Sequence, residues 1–332
     1  TDNLTMFKLL EMSELPTIAI CMGAYGSVSR ILYKKFGGFL TYASLSEGSE
    51  SAQGQIPTDE MTNTYRAGEL DRNTQIFGVA GSPEKHSSSP ALFNAAYKAL
   101  GLNAVHVKFP VDDIGHFVKA FRNVVSGFAV TVPHKEAILP FLDELDDTAE
   151  RIGAVNTVVK LKNKLKGYNT DVTGGLEALK RKAQIKNSKV VILGAGGAAK
   201  ALAFGIVKES GNLTILNRTL EKSKKLAKKY GCDFGVLEDI EKLDYDIIIN
   251  CTSVGMKGEG FLKKDLLKGT IMDVVYTQHG DTKLISDAKE MGCVTVAGHE
   301  MLVLQALEQL KLWTGRTVEE RVMSEALECT RK

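Results

Sequence analysis

The chain has 332 residues, 44% of them hydrophobic and 25% charged, with 31 Gly and 7 Pro. That is room for about two globular domains, and it excludes disordered and collagen-like chains. Its 42 basic and 40 acidic residues leave a formal charge of +2, which excludes a general basic coat for nucleic acid or for an anionic membrane. The longest apolar stretches, such as Val190-Val191-Ile192-Leu193, fall far short of the ~20 residues that cross a bilayer.

The chain opens Thr1-Asp2-Asn3-Leu4-Thr5-Met6, with no basic region, apolar run or initiating Met. No targeting signal can be read there, and a start inside a longer protein is the expectation. The five cysteines, Cys21, Cys232, Cys251, Cys293 and Cys329, are odd in number, scattered and never in C-x-x-C spacing. They imply a reducing compartment and no metal site.

In chain order, Pro16–Met22 and Gly38–Ser44 read as buried strands, separated by a helical stretch around Gly26–Tyr33 and followed by a helix over Thr58–Arg66. The charged, turn-rich stretch Ala67–Asn73 reads as a linker. A new strand begins at Gln75–Val79, and Ser89-Pro90 opens a helix over Ala91–Leu100 with Ser89 as N-cap, ended by Gly101. Strands follow at Ala104–Phe109 and Phe128–Val132, then a helical pair at Lys135–Glu144 and Thr148–Gly153, then a hairpin through Val155–Gly167.

From Lys189 the pattern is βαβ, with strands at Lys189–Leu193, Leu213–Leu216, Ile247–Asn250 and Ile271–Val274 and a helix at Leu220–Tyr230. Strands separated by helices predict a parallel, doubly wound sheet. Met301–Cys329 reads as one or two helices.

The strongest local signal is Gly194-Ala195-Gly196-Gly197-Ala198-Ala199, directly after a strand and opening a helix. This is the dinucleotide fingerprint in its required setting. Gly194 permits the tight turn, Gly196 lets backbone approach a pyrophosphate, and Ala199 lets the helix pack on the strand. The next strand ends at Asn217-Arg218-Thr219. An acidic residue there would bind the ribose 2′-hydroxyl of NAD; Arg218, with Lys222 a helical turn on, suits the 2′-phosphate of NADP(H). Ordinary surface cations are the alternative.

Upstream, Val130-Thr131-Val132-Pro133-His134-Lys135 puts a lysine beyond a buried strand, where a helix N-terminus is expected to lower its pKa. Asn169-Thr170-Asp171 leads into Gly174-Gly175, and Asp171 alone reads as an N-cap. His86-Ser87-Ser88-Ser89-Pro90 offers hydroxyls, of which Ser89 also has the capping role.

From about Thr74 to the C-terminus these segments resemble shikimate dehydrogenase. The resemblance rests on Gly81–Pro90 (GSPEKHSSSP), Val130–Glu136 (VTVPHKE), Gly153–Thr157 (GAVNT), Gly167–Asp171 (GYNTD), GAGGAA, Asn217–Thr219, Asn250–Met256 (NCTSVGM) and Glu300–Gln305 (EMLVLQ). It implies reversible, NADPH-dependent reduction of 3-dehydroshikimate, with Lys135 and Asp171 as the catalytic pair. It implies substrate contacts at Ser87, Ser89, Thr131, Asn156, Tyr276 and Gln305. Cofactor contacts are implied at Gly194, Ala195, Gly196, Gly197, Ala198, Asn217, Arg218, Thr219, Lys222, Thr252 and Ser253. Relatives that favour quinate often lose the second serine or the threonine, and both are present here.

Residues 1–70 resemble the end of a type I 3-dehydroquinate dehydratase through Cys21-Met22-Gly23, Ser29-Arg30, Phe36-Gly37-Gly38-Phe39 and Ser51-Ala52-Gln53-Gly54-Gln55. There Arg30, Ser51 and Gln55 would hold substrate, but the Schiff-base lysine and its histidine partner have no counterpart in this chain. The order, dehydratase then dehydrogenase, resembles the bifunctional plant enzymes, which implies a fragment or truncated product.

The expected architecture is α/β. A shikimate dehydrogenase-like substrate domain at 74–172, completed by helices at 300–328, joins a Rossmann-like NADP-binding domain at 173–298. An incomplete (β/α)8-barrel fragment at 1–70 precedes them, with an active site expected between the two dehydrogenase domains. Eight βα units close such a barrel, so two should pack poorly, with Ile18, Ile20, Phe39 and Leu40 lacking their core and trimming near residue 70 tolerated. The expected partner is a small-molecule substrate, with no nucleic acid, membrane or readable partner protein. A plant chain would work in plastids and any other in the cytoplasm. A quinate-preferring oxidoreductase and a non-enzymatic NADP-binding scaffold remain as alternatives.

Overall fold

The computed structural model describes residues 2–83, 87–256, 258, 260, 262–277 and 280–330. Glu84, Lys85 and His86 of the GSPEKHSSSP motif lie outside the described residues. The chain divides into two compact units, the first made of residues 1–145, 155–168 and 310–326, the second of 146–154, 169–309 and 327–332.

The first unit begins with α1 (Asp2–Met12) and α2 (Ser27–Leu32). Then come β1 (Gln75–Gly81), α3 (Ser89–Ala99), β2 (Ala104–Pro110), α4 (Ile114–Phe121), β3 (Gly127–Val130), β4 (Glu144–Leu145), β5 (Thr157–Leu161) and β6 (Lys164–Tyr168). They form a six-stranded sheet in the order β2-β1-β3-β5-β6-β4. Strands β2, β1 and β3 are parallel, whereas β5 runs antiparallel to both β3 and β6. Helix α4 forms because Asp113 accepts the His116 N–H at 2.9 Å as N-cap, and because Ile114, Phe117, Val118 and Phe121 fall on one buried face. On the sheet, Phe77, Phe93 and His106 surround Trp313, whose indole N–H donates to Val158 O at 3.0 Å. Gly127 is required there, since a Cβ would lie 2.7 Å from the Trp313 ring.

The N-terminal segment departs from its sequence reading. Residues 16–22 and 38–44 form no strand: Phe39 N–H donates to Thr17 O at 2.9 Å, and Ser44 makes an isolated parallel bridge with Pro57. Two parallel strands with no sheet beside them lack the neighbours that make such a ladder stable. Ile18 and Phe39 are 41% and 60% exposed, as expected of faces without a barrel core. The segment is nevertheless anchored. Helix α1, absent from the sequence reading, stacks Phe7 on Phe36 with ring centroids 3.9 Å apart, and Leu10, Ile31, Leu32, Met61, Tyr65 and Leu70 are buried. The helix expected over 58–66 forms over 58–64, with Glu60–Thr64 as a π-helix, and Arg66 follows in the left-handed region at φ +48°. The linker is tied down too, because the Asp71 carboxylate accepts from Asn103, Asn73 and Thr74. Its carboxyl is thereby held below the usual range, the Asn103 bond being the largest cause.

The second unit contains α5 (Asp147–Ile152), α6 (Asp171–Lys180), β7 (Lys189–Leu193), α7 (Gly197–Lys208), β8 (Asn212–Leu216), α8 (Leu220–Tyr230) and β9 (Asp233–Gly235). It continues with β10 (Ile247–Asn250), β11 (Thr270–Asp273), α9 (Lys283–Glu290) and β12 (Val294–Val296), then α10 (Gly298–Thr314) and the end of α11 (Glu320–Cys329). Its strand order is β12-β11-β10-β7-β8-β9, every pair parallel. The near-continuous apolar runs follow from burial on both faces. Val190, Ile192, Ile215 and Ile249 pack with Ala199, Leu202 and Ile206 of α7, while Val191, Leu193, Ile248 and Ile271 pack with Leu284 and Ala288 of α9. Counted from β7, this is the doubly wound order 3-2-1-4-5-6, whose reversal falls between β7 and β10. The short strands β9 and β12, at the two edges, carry too few residues to show in a sequence pattern.

Candidate functional site

In the first unit the motif residues gather at one edge of the sheet. Pairing sets Ala80 beside Val130 and Ala129 beside Thr157, with Thr157 opposite Tyr168, so the ends of β1, β3 and β6 and the start of β5 share that edge. Thr131 follows β3, its N–H donating to Ala80 O at 3.0 Å, and its methyl lies where a Cβ on Gly81 would sit, 2.3 Å away. Asn156 is 2% exposed; its carbonyl accepts Val130 N–H at 2.8 Å and its side-chain Oδ1 accepts the Thr157 hydroxyl at 2.7 Å.

Ser87, Ser88 and Ser89 lead into α3. The helix begins one residue earlier than its sequence pattern, with Ser88 as N-cap and Ser89 as first helical residue, so Ser89 does not cap. The Ser89 N–H donates to Ser87 Oγ at 3.3 Å, which leaves the Ser87 hydroxyl hydrogen available to a ligand.

Lys135 also departs from its reading. No α-helix starts at it: residues 132–138 form successive turns after the cis Val132–Pro133 bond, and a single 3₁₀ turn, Leu139–Phe141, stands where the first of the helical pair was expected. The expected effect of a helix N-terminus on this lysine therefore lacks its element. The turn is pinned by neighbours instead: His134 is 5% exposed with Nε2 2.9 Å from Val111 O, Ile138 is fully buried, and Val155 N–H donates to Lys135 O at 2.8 Å. Lys135 itself is half-buried.

In the second unit Asp171 is the first residue of α6, after Thr170 at the N-cap, rather than the cap itself. It is 5% exposed, and its N–H donates to Asn169 Oδ1 at 3.2 Å, while Asn169 Nδ2 donates to Ala154 O at 2.8 Å. The Thr170 hydroxyl donates to Gln305 Oε1 at 3.3 Å, which joins the start of α6 to α10. Tyr276 is half-buried just after β11.

At the strand-order reversal, Gly194 has φ +112°, a region that favours glycine, and a Cβ on it would lie 3.1 Å from the Cys251 carbonyl. Gly196 caps α7 without a side chain, and no atom lies within 4 Å of where its Cβ would be. The first amides of α7, at Gly197 and Ala198, thus meet an open cradle, the setting in which helix N-termini hold phosphate. Ala199 is fully buried, as close packing of α7 on β7 requires. Asn217 Nδ2 donates to Thr219 O at 2.9 Å, and Thr219 is the N-cap of α8. Arg218 and Lys222 are exposed, with no acidic partner among the described residues. Thr252 is held by Asn250, its N–H and hydroxyl donating to Asn250 Oδ1 at 3.0 and 2.8 Å, and exposed Ser253 follows it. The residues present fit a dinucleotide carrying a 2′-phosphate.

In the N-terminal segment Ser51 and Gln55 come together, with Gln55 Oε1 accepting Ser51 N–H at 2.8 Å. Arg30 is 1% exposed and turns elsewhere: Nη1 donates to Tyr42 O at 3.4 Å, Nη2 lies 3.3 Å from Met22 Sδ, and Nε has no partner. Burial pulls its pKa below the ordinary value.

One group escaped the sequence reading. Asp273, fully buried at the end of β11, accepts from Asn250 Nδ2 at 2.9 Å, from Thr282 Oγ1 at 2.6 Å and from Val275 N–H at 3.0 Å. Burial pushes its carboxyl up to about 6, against the lowering effect of those bonds. The available signal was an aspartate ending an otherwise apolar strand, beside the asparagine ending the next.

The family described as type I 3-dehydroquinase matches residues 1–71, and the shikimate dehydrogenase substrate binding domain matches 79–158. The shikimate / quinate 5-dehydrogenase family matches 177–258, and the shikimate 5′-dehydrogenase C-terminal domain matches 298–328. The chain is 37% identical to the chloroplastic bifunctional 3-dehydroquinate dehydratase/shikimate dehydrogenase of Arabidopsis thaliana, over 95% of this chain and 56% of that protein. It therefore spans little more than half of that relative's length. It is 43% identical to the shikimate dehydrogenase (NADP(+)) of Pyrococcus furiosus, over 74% of this chain and 92% of that one. The crystal structure of shikimate 5-dehydrogenase from Thermus thermophilus in complex with NADP(H) and shikimate matches at TM-score 0.71 and 33% identity, covering 77% of this chain and 100% of that one.

Proposed function

The chain belongs to the shikimate dehydrogenase family, and on that premise we propose that it catalyses the reversible, NADPH-dependent reduction of 3-dehydroshikimate to shikimate. One observation carries this reading within each unit: the motif residues fall at the carboxyl edge of their sheet, where open α/β sheets bind ligands.

NADPH, when bound, supplies the hydride that reduces the ketone carbon. Gly194, Ala195, Gly196, Gly197 and Ala198 accommodate the pyrophosphate, with Thr252 and Ser253 beside them. Arg218 and Lys222 pair with the 2′-phosphate, next to Asn217 and Thr219. Lys135 delivers the proton to the carbonyl oxygen as it becomes a hydroxyl and takes it back in the oxidation, and Asp171 shares this acid–base work. Ser87, Ser89 and Tyr276 receive the substrate carboxylate, and Thr131, Asn156 and Gln305 its hydroxyls. The expected substrate domain, 74–172 with the helices of 300–328, corresponds to the first unit from residue 74 on, and the expected cofactor domain, 173–298, to the second, which also takes 146–154, 169–172 and 300–309.

The dehydratase resemblance is confined to residues 1–71 and adds nothing to this reading. A plastid location is the reading that the plant relative supports; no helix among the described residues is long and apolar enough to cross a membrane.

The test is NADPH formation from shikimate and NADP+, with Lys135→Ala and Asp171→Asn beside the wild type. Each substitution should cost about 10²–10⁴-fold in rate. Wild-type turnover on quinate but not shikimate would replace the substrate. Absence of turnover on both, with NADP+ bound, would leave a non-enzymatic binder.

A further inference from the structure

The loop after β10 is built around one amide. Asn250 is fully buried; its Oδ1 accepts the N–H and hydroxyl of Thr252 at 3.0 and 2.8 Å, and its Nδ2 donates to Val254 O at 3.2 Å and to Asp273 Oδ1 at 2.9 Å. Thr252 Oγ1 in turn accepts Val254 N–H at 3.1 Å. A primary amide can present its oxygen and its NH₂ either way round, whereas an ionised carboxylate only accepts. The Asp273 carboxylate admits one orientation, with NH₂ toward β11 and oxygen toward Thr252, and the Thr252 N–H and Val254 carbonyl are served by that same orientation. Asp273 is itself immobilised from two further sides: Thr282, N-cap of α9, donates to Oδ2 at 2.6 Å, and Val275 N–H donates to Oδ1 at 3.0 Å.

We propose that Asp273 is a positioning residue for the cofactor: by anchoring the Asn250 amide to β11, it holds the loop at Cys251–Val254 against which Gly194 turns. The loop's role rests on the function proposed above, which assigns Thr252 and Ser253 to NADP(H). The contact that makes the geometry sensitive is the tight approach at Gly194, where a Cβ would meet Cys251 C and O at 3.1 Å and Thr252 N at 3.3 Å. The two backbone segments lie so close that the place of the loop bounds the place of the turn. Asp273 touches no reacting atom in this arrangement; it acts through Asn250.

The experiment uses the full chain and titration calorimetry with NADP+ alone, so that binding is read without turnover, together with separate KM and kcat values. Asp273→Ala should weaken NADP+ binding about tenfold, as loss of one organising hydrogen bond does, and Asn250→Ala, which removes all of that amide's bonds, at least as much. The double variant should be little worse than Asn250→Ala alone, because that variant already removes the link to Asp273. Asp273→Asn, whose side-chain oxygen can still accept from Asn250, should bind NADP+ within about threefold of the wild type. The KM for NADP+ should rise while kcat and the KM for shikimate stay within about threefold.

Unchanged NADP+ binding in Asp273→Ala overturns the proposal, as do losses that multiply in the double variant or no recovery in Asp273→Asn. If Asp273→Ala gives no cooperative melt, the other two variants decide: weakened binding in Asn250→Ala with near-normal Asp273→Asn supports it, and undiminished binding in Asn250→Ala overturns it. Wild-type NADP+ binding without turnover on shikimate would sink the proposed function while leaving this test intact.

Discussion

Gln305 lies so close over Gly174 that a Cβ on the glycine would be 2.7 Å from both the Cβ and the backbone nitrogen of the glutamine. Helices α6 and α10 can meet there only because position 174 has no side chain. The same pair of helices carries Asp171 and Gln305, so this contact sets the spacing of two proposed site residues. Gly174→Ala should cost about 1–3 kcal/mol, as overpacking of a tight core does, read as a lowered Tm. It should also weaken shikimate binding, measured as a raised KM. A variant with wild-type Tm would show that the two helices part without penalty.

Cofactor choice should reside in two exposed cations. Replacing both Arg218 and Lys222 with Ala removes the groups assigned to the 2′-phosphate. The preference for NADP+ over NAD+ in kcat/KM should fall by roughly 10–100-fold, the usual worth of charge-assisted hydrogen bonds. Most of the loss should fall on NADP+, and raised salt should shrink the wild-type preference because exposed charges are screened. Equal losses for both cofactors would assign these residues to something other than the 2′-phosphate.

Asp273 should leave a signature in the pH dependence of stability. Its folded pKa is raised to about 6 from an ordinary 3.8, chiefly by burial, so the folded state binds the proton more tightly than the unfolded one. Through this group the fold is best stabilised below the unfolded pKa, and it loses stability as pH rises from about 4 to about 6. The full difference is on the order of 3 kcal/mol. Asp273→Asn has nothing to ionise, so urea titrations across that window should show its stability relative to wild type improving with rising pH. A constant difference would mean that Asp273 titrates alike in both states.

Limited proteolysis should strike within Leu45–Gln53 before it reaches Asp71–Asn73. Leu45 is 87% exposed and its neighbours through Ser51 are exposed as well, whereas Asp71 accepts three side-chain or backbone hydrogen bonds and Leu70 is buried. Mass spectrometry of the first fragments checks this. A first cut at 71–73 would mean that the Asp71 network opens readily.

The parallel sheet of the second unit was legible because its strands are buried on both faces and therefore uniformly apolar, as in Ile247-Ile248-Ile249. The glycine turn was legible because only certain residue types permit a positive φ and a close phosphate. Lys135 and Asp171 could be named as candidates from their motifs, but their local settings could not. Whether a turn or a helix follows Pro133 depends on His134 reaching Val111 and on Val155 bonding Lys135 O, contacts made by residues about 20 positions away in the chain.

By itself, then, the sequence determined the elements whose stability is local or whose burial is uniform, together with the motifs that name candidate site residues, since chemistry requires particular side chains. The tertiary structure alone decided what depends on neighbours. It left residues 16–22 and 38–44 without a strand because no sheet takes them in, yet buried Phe7, Leu10 and Leu70 in the first unit. It also joined Asn250, Asp273 and Thr282, because hydrogen bonds between separate strands and a helix cap exist only once those elements are packed side by side.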